Sequence, residues 1–270
     1  MTTLERVVGL VGRLGAPVVD AAVGLGAATR FFLSVLAAST SCLRRPRLVV
    51  RELYFIGVLS LAIILVSALF VGMVLGLQMY DTLVRFGSED IVGMVVALAL
   101  VRELGPVLSA LLISSRAGSA VTAEIGLMKA TEQLSAMEMM AVPPVARVVA
   151  PRFWAGVLAV PLLTAIFDVV GIFGGWLVAV PLLGVDDGTF WSQMRAAVDF
   201  RLDVVNGLIK SLWFGVAILF IAVHQGFHAE PTAEGVSRAT TRTVVRSALV
   251  VLGLDFVLTA FMFRGFEGMG

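Results

Sequence analysis

Five ionisable residues lie inside stretches of the chain that are otherwise apolar: Arg102, Glu103, Asp168, Lys210 and Asp255. A charge is costly in the middle of a bilayer, so such residues usually face a bundle interior or a wet cavity, where they pair or bind a polar group. Arg102 and Glu103 are adjacent, and neighbours on a helix point about 100° apart. Each should therefore find its partner on another helix. The complementary signs predict that Arg102 pairs with Asp255. They also predict that Glu103 pairs with Lys210.

A cluster of this kind has two interpretations. It could bind a polar group of a substrate, or it could only fix helix packing, as some buried ion pairs do. The sequence leaves both open. At about 1.5 Å of rise per residue, Arg102 and Asp255 fall near the membrane midplane, and Lys210 and Asp168 fall in the outer half. This distribution predicts a cavity open towards the outer side rather than a proton path across the membrane. Asp168 receives no role.

The composition is that of a membrane protein. Of 270 residues, 59% are hydrophobic and 14% are charged, whereas soluble domains have about 45–50% and about 25%. A net charge of +1 gives no overall basic field for nucleic acid. The single Cys42 excludes an intramolecular disulfide. Arg13 and Asp20 interrupt the apolar region that a secretory signal would need.

Five apolar stretches have the roughly 20 residues that a membrane-spanning helix needs. Arginine and lysine are concentrated before the first stretch, between the second and third, and between the fourth and fifth, whereas the other two loops are acidic. The positive-inside rule therefore predicts a cytoplasmic N-terminus and an external C-terminus. The predicted spans are Phe55–Met79, Ile91–Ser114, Phe153–Leu183, Val204–Val223 and Val244–Phe263.

The predicted fold is an all-α integral membrane protein with five transmembrane helices, an N-terminal interfacial helix and a cytoplasmic helix between the second and third spans. Residues 1–52 have apolar faces interrupted by arginine, which favours a helix in the cytoplasmic interface over a partly ordered tail. Residues 53–263 form the five-span domain. An external segment at about 184–203 should contain a short helix, and residues 264–270 form a short external tail.

Glycines and prolines suggest how the spans pack. Gly72 with Gly76, and Gly171 with Gly175, have the four-residue spacing that allows close helix approach. We interpret them as packing contacts first and dimer contacts second. Two prolines should kink their helices, and neighbouring groups should satisfy the carbonyls that they free. These prolines are Pro106 and Pro161.

No catalytic or nucleotide-binding motif is evident. His224 and His228 have a metal-ligand spacing, but no further ligand lies near them in the sequence, so we expect no metal site. The sequence contains neither a Walker A motif nor Gly-x-Ser-x-Gly. We therefore expect a chain that is not an enzyme and binds no cofactor itself.

The segment from Arg116 to Pro144 is predicted to be an amphipathic cytoplasmic helix that ends at Pro143. Its methionines suit an adaptable docking surface, and such a helix can insert into a groove on a partner protein. The alternative is a helix lying on the lipid surface. Its acidic residues argue against that, because the cytoplasmic leaflet is negatively charged.

Several long strings closely resemble the MlaE/YrbE permease family, from about Val50 to Phe263. They are VSALFVGMVLGLQMY in the first span, LVRELGPVLSALLISSRAGSAVTAEIGLMKATEQLSAMEMMAV followed by PRFWAG, and SRATTRTVVRSALVVLGLDFVLTAFMF near the C-terminus. The resemblance implies the permease subunit of an ABC transporter that moves phospholipids between the inner and outer membranes of Gram-negative bacteria and maintains outer-membrane lipid asymmetry.

The resemblance also implies an assembly in the inner membrane. The permease would be a homodimer with two ABC ATPase subunits, which hold ATP and Mg²⁺, and a STAS-domain protein would bind each ATPase. A hexamer of MCE-domain subunits would sit on the periplasmic face. Phospholipid would lie in an outward-open pocket at the dimer interface, formed by Arg102, Glu103, Lys210, Asp255, Leu75, Leu77 and Tyr80. The ATPase would grip a coupling helix at about 122–142, through Glu124, Leu127, Met128, Glu132 and Leu134.

Two other functions stay open at this point. One is an actinobacterial-type relative that imports sterols or other lipids together with MCE proteins. The other is a scaffold that recruits the ATPase without transporting anything.

Overall fold

The computed structural model describes residues 22–40, 42 and 45–264, and within them every regular element is helical, which confirms the predicted all-α class. We number eight helices along this part of the chain. They are α1 Ala22–Thr40, α2 Pro46–Val84, α3 Glu89–Ala130, α4 Gln133–Met139, α5 Val145–Ala179, α6 Asp187–Ala197, α7 Phe200–Phe227 and α8 Ala233–Arg264.

Six of these helices are long and apolar enough to cross a membrane, namely α1, α2, α3, α5, α7 and α8. The five predicted spans correspond to the last five. Helix α1 is the additional candidate, and it is the shortest and least apolar of the six. It belongs to the segment that the sequence predicts to be interfacial, and the first 21 residues of that segment lie outside the described residues.

Helices α2 and α3 are longer than a bilayer requires. They contain 39 and 42 residues, which at about 1.5 Å per residue is roughly 60 Å, against a hydrocarbon core of about 30 Å. A short turn at residues 85–88 joins them, so the start of α2 and the end of α3 lie at the same end of the bundle. We call this the arginine-rich end; it also holds α4 and the junction between α7 and α8.

Two arginines form ion pairs and hydrogen bonds between helices at the arginine-rich end. Arg152 of α5 lies 3.6 Å from the Glu52 carboxylate of α2 and 3.2 Å from the Glu124 carboxylate of α3. Arg116 of α3 donates from Nη1 to the carbonyl oxygen of Phe55, at 2.9 Å. Some of the arginines concentrated at this end therefore stabilise contacts between helices.

Helix α5 lies at the centre of the bundle and packs along α2 and α7. A Cβ added at Gly72 would overlap the carbonyl oxygen of Gly171, and one at Gly76 would lie 2.8 Å from that of Gly175. All four glycines therefore belong to a single crossing of α2 and α5 inside the chain. The interpretation of these glycines as packing contacts is confirmed.

At the opposite end of the bundle, α6 is the short helix predicted between residues 184 and 203. Asp186 caps its N-terminus, with Oδ2 accepting a hydrogen bond from the backbone N–H of Thr189 at 2.8 Å. The backbone and hydroxyl hydrogen bonds from Thr189 hold the pKa of Asp186 below its usual value. Phe190 is fully buried and packs against Gly93 of α3, which fixes α6 to the bundle.

The segment from Arg116 to Pro144 does not form the single helix that the sequence predicts. It is divided between the end of α3 and the short helix α4, because Glu132 adopts a left-handed conformation with φ 59°. Ala141, also at φ 59°, follows α4. The turn at Glu132 brings Leu134 back into the apolar core, where it is buried.

Replacing Gly72 with alanine should destabilise the bundle, because the new methyl group meets backbone that cannot move aside as a side chain can. Overpacking of this kind costs roughly 1–3 kcal/mol. Gly253→Ala in α8 is the control, since a Cβ there meets no atom within 4 Å. Thermal unfolding of the purified protein in detergent measures both variants. An unchanged midpoint for Gly72→Ala would contradict this description of the crossing.

Candidate functional site

The ammonium group of Lys210 lies at the centre of a polar cluster inside the bundle, and its side chain has no exposed surface. An ammonium has three N–H donors. They are taken by the carbonyl oxygen of Arg102 at 3.1 Å, Glu103 Oε2 at 2.8 Å and Thr259 Oγ1 at 2.8 Å. Asp255 Oδ1 lies 2.8 Å from the same nitrogen as an ion-pair partner outside those three hydrogen bonds. We call Lys210, Glu103, Asp255 and Thr259 the Lys210 cluster.

The carbonyl oxygen of Arg102 is available because of Pro106. In an α-helix this oxygen would accept a hydrogen bond from the N–H four residues later, and proline has none. Lys210 of α7 donates to the freed oxygen instead. The prediction that a neighbouring group satisfies the carbonyl freed by Pro106 is confirmed.

Two further features of the backbone position the cluster. Residues Leu100–Leu104 form a π-helical turn that carries Arg102 and Glu103, and such turns often occur at functional sites. On α7, a Cβ added at Gly207 would overlap the carbonyl oxygen of Val101. Glycine there lets α7 approach the π turn closely, less than one helical turn from Lys210.

The structure divides the predicted ion pairs into one that is confirmed and one that is wrong. Glu103 pairs with Lys210 as predicted. Arg102 does not pair with Asp255; its Nε donates to Asp203 Oδ1 at 2.7 Å, and Asp255 pairs with Lys210. Asp203 lies in the π-helical first turn of α7, seven residues before Lys210, so this helix supplies partners to both Arg102 and Glu103.

Asp203 and Thr259 are members of the site that the sequence reasoning missed. Asp203 precedes an apolar run and was counted with the acidic loop before it, although its side chain is buried and its Oδ2 accepts from the backbone N–H of Asp199 at 2.8 Å. Thr259 follows Asp255 by four residues, one helical turn. The signal that could have identified them is spacing: Asp203 lies seven residues before Lys210, and Thr259 lies four residues after Asp255.

The Lys210 cluster is closed around Lys210. Its exposed groups are Glu103 and Arg102 of the adjoining Arg102–Asp203 pair, and we call this its open side. The side chains of Arg102 and Glu103 are 40% and 38% exposed, whereas those of Lys210 and Asp203 are buried. Two cations and three carboxylates therefore meet here, and the groups at the surface include one of each sign. This arrangement can bind a partner group that carries both charges.

The three apolar residues predicted for the pocket are not gathered at these charges. Leu75 is packed in the main apolar core, Leu77 is exposed, and Tyr80 packs against the small cluster around Phe190. Their role in lipid contact stays a prediction.

Asp168 lies on α5, facing the backbone of α3 beside the π turn. Its carboxylate occupies the space next to Gly105 that a Cβ would need. Its Oδ1 is buried and accepts no hydrogen bond from any residue that the structure describes.

The two histidines take part in packing. The rings of His224 and His228 stack with their centroids 4.4 Å apart, and both contact the ring of Phe31 in α1. These ring contacts with Phe31 pack α1 against the C-terminal end of α7.

The predicted coupling residues lie at the arginine-rich end but face different ways. Glu124, Leu127 and Glu132 are exposed, Met128 is half-buried, and Leu134 is buried. Met139, the last residue of α4, and Met140, which follows the helix, are both exposed.

Comparison with known proteins identifies the family to which this chain is similar. The family model described as permease MlaE matches residues 49–261. The chain belongs to the MlaE permease family. With six long apolar helices in the described residues, it is a multi-pass inner-membrane protein.

Relatives in several lineages are similar over most of the chain. The intermembrane phospholipid transport system permease protein MlaE of Haemophilus influenzae is 53% identical over 95% of this chain and 98% of its own length. A probable ABC transporter permease protein of Rickettsia bellii is 37% identical over 87% of this chain and 92% of its own. The chloroplastic protein TRIGALACTOSYLDIACYLGLYCEROL 1 of Arabidopsis thaliana is 34% identical over 77% of this chain and 59% of its own.

Double-mutant cycles should separate the two ion-pair assignments. Arg102→Gln and Asp203→Asn should show a coupling energy of about 0.5–3 kcal/mol, because contacting residues are not additive. Arg102→Gln and Asp255→Asn should show a smaller coupling energy than the first pair, because Asp255 contacts Lys210 and not the Arg102 guanidinium. SDS-induced unfolding in mixed micelles measures all the variants. Coupling to Asp255 with none to Asp203 would restore the pairing predicted from the sequence.

Proposed function

We propose that the chain is the permease subunit of an ABC transporter that moves phospholipids between the inner and outer membranes, and that the lipid headgroup binds at the open side of the Lys210 cluster. The observation that carries this proposal is a buried ammonium whose partners reach the surface as one cation and one carboxylate, Arg102 and Glu103. The Haemophilus influenzae relative is named for phospholipid transport.

The chemistry of the cluster fits a phospholipid. A guanidinium suits a phosphate, and the exposed part of Glu103 suits a headgroup amine. An apolar cleft of about 250 Å³ has walls from Val101 and Val204, the chain neighbours of Arg102 and Asp203. Such a surface beside the headgroup site suits an acyl chain. Leu75, Leu77 and Tyr80 would contact acyl chains once a second copy of the chain completes the pocket.

The proposed assembly follows from what this chain lacks and from its family. The sequence contains no Walker A motif, so two separate ABC ATPases, with ATP and Mg²⁺, would drive a homodimer of this chain. A STAS-domain protein would bind each ATPase, and an MCE-domain hexamer would receive lipid on the periplasmic side.

The proposed orientation places the arginine-rich end in the cytoplasm and the C-terminus in the periplasm. Helices α2, α3, α5, α7 and α8 are then the five spans. Helix α1 would lie in the cytoplasmic interface, since a sixth crossing would put the N-terminus on the side opposite to the arginine bias.

The ATPase would dock on the exposed surface formed by the end of α3 and by α4, which we call the coupling surface. Leu127 is 59% exposed and Met139 is 86% exposed. Exposed apolar groups of this size in a segment beyond the membrane favour a protein contact. Leu134 would act from inside, by holding α4 against the bundle.

Transfer assays with the whole complex in proteoliposomes test the transport proposal. Glu103→Gln should lower ATP-dependent phospholipid transfer at least about tenfold, because a buried cation that loses a charged partner is costly and its site rearranges. Glu234→Gln is the control, since its exposed ion pair with Arg238 lies at the arginine-rich end. Full transfer with Glu103→Gln would contradict the headgroup site, and sterol transfer without phospholipid transfer would favour the other substrate class. ATPase binding with no transfer of any lipid would favour a scaffold.

Leu127→Asp should weaken ATPase binding and leave bound phospholipid unchanged, because it places a charge in the centre of the coupling surface. Leu182→Asp makes the same change at an exposed site on the opposite end of the bundle, and should leave the ATPase bound. Co-purification of the ATPase and lipid extraction measure the two properties. Equal ATPase recovery with both variants would remove α3 and α4 from the interface.

A further inference from the structure

A second crevice lies at the arginine-rich end, between α1, α7 and α8. Its volume is about 500 Å³. Helix α7 contributes Phe220 and Ile221 at the deep end and His224 and Gln225 nearer the membrane boundary. Helix α8 contributes Leu249 and Val250 at the deep end and Arg246 nearer the boundary, and α1 closes one side with Leu25 and Ala28. Because α7 and α8 run antiparallel, both grade from apolar to polar in the same direction.

Arg246 is placed at the depth of a lipid phosphate. It precedes Asp255 by nine residues on α8, which is roughly 13 Å, and Asp255 lies near the midplane of a hydrocarbon core of about 30 Å. Arg246 therefore lies close to the edge of that core. Lys210 and His224 are fourteen residues apart on α7, roughly 21 Å, so the crevice is separate from the Lys210 cluster.

The charged side chain among the described lining residues of the crevice is positive, that of Arg246. The described lining contains no aspartate or glutamate. In the part of the chain that the structure describes, no carboxylate lies within 4 Å of Arg246, whereas Arg238, two helical turns earlier, pairs with Glu234. A cation in a membrane helix without a counter-charge from the described residues indicates an anionic ligand.

We propose that this crevice binds an anionic phospholipid from the leaflet at the arginine-rich end. The phosphate lies on Arg246, beside His224 and Gln225, and the acyl chains lie between α7 and α8 against Phe220 and Leu249. Basic pockets between membrane helices on the cytoplasmic side bind anionic headgroups in this way. A zwitterionic headgroup fits less well, because its ammonium finds no carboxylate among the described lining residues.

Photo-crosslinking tests the proposal with the full chain in nanodiscs. Phosphatidylglycerol that carries a diazirine on an acyl chain is added at low fraction to phosphatidylcholine, and labelled peptides are mapped by mass spectrometry. Labels should fall at Phe220–Ile221 and Leu249–Val250. Arg246→Gln should lower this labelling about fivefold, the effect of one arginine near a membrane surface.

The variants separate a built site from general attraction to charge. Arg85→Gln removes one exposed positive charge at the other end of the bundle and should leave the labelling unchanged. Leu249→Trp fills the crevice without changing the charge and should lower it. Labels at Phe220–Ile221, ten residues or more along α7 from Lys210, distinguish this site from the proposed transport site.

Three results would overturn the proposal: no label at these positions in the wild type, unchanged labelling with both Arg246→Gln and Leu249→Trp, or loss with Arg246→Gln alone. The last result would show an anionic lipid attracted to the surface but not bound in the crevice. Equal labelling by a diazirine phosphatidylethanolamine would refute the preference for an anionic headgroup.

Discussion

The buried ammonium of Lys210 is the constraint on which the centre of this protein depends. Removing an ion from water costs several kcal/mol, and the cost is met only when counter-charges and hydrogen bonds are well placed. Here they come from two helices that pack against α7: α3 supplies Glu103 and a carbonyl oxygen, and α8 supplies Asp255 and Thr259. The requirements of one nitrogen atom therefore fix the register of α3, α7 and α8 relative to one another.

The backbone of α3 is adapted to the same constraint. Pro106 frees the carbonyl oxygen of Arg102, the π turn carries Glu103, and Gly207 on α7 allows the two helices to approach. Each of these features would weaken a helix in isolation. Together they direct polar groups of α3 towards α7, and they leave the side chains of Arg102 and Glu103 partly exposed on the other side of the cluster.

Much of this site was predictable because charge in an apolar helix is a strong signal. The sequence indicated four of the site's ionisable residues, the pairing of Glu103 with Lys210, and the role of Pro106. The pairing of Arg102 with Asp255 was wrong for a physical reason. A π turn changes the directions of side chains by an amount that helical periodicity does not reveal, and Asp203 looked like a loop residue because it stands at the first turn of α7.

At the arginine-rich end, helical periodicity again failed to predict the structure. Periodicity predicted one amphipathic helix across Arg116–Pro144, but a single left-handed residue, Glu132, divides it and turns Leu134 inward. No residue type at that position requires a positive φ, so the sequence carries little warning of the turn. The packing role of Gly72 and Gly171 was easier to predict, because small residues at four-residue spacing indicate contact between helices, although the spacing did not show which helices would meet.

The central claim is that the open side of the Lys210 cluster holds a phospholipid headgroup. Electron cryomicroscopy of the complete transporter in lipid nanodiscs, without nucleotide, tests it most directly. With a headgroup bound there, phosphate density lies within hydrogen-bonding distance of the Arg102 guanidinium, and acyl-chain density leads from it along apolar walls. A Lys210 cluster sealed by protein on every side, with lipid density only elsewhere, would contradict the claim and leave the charges as a device for helix packing.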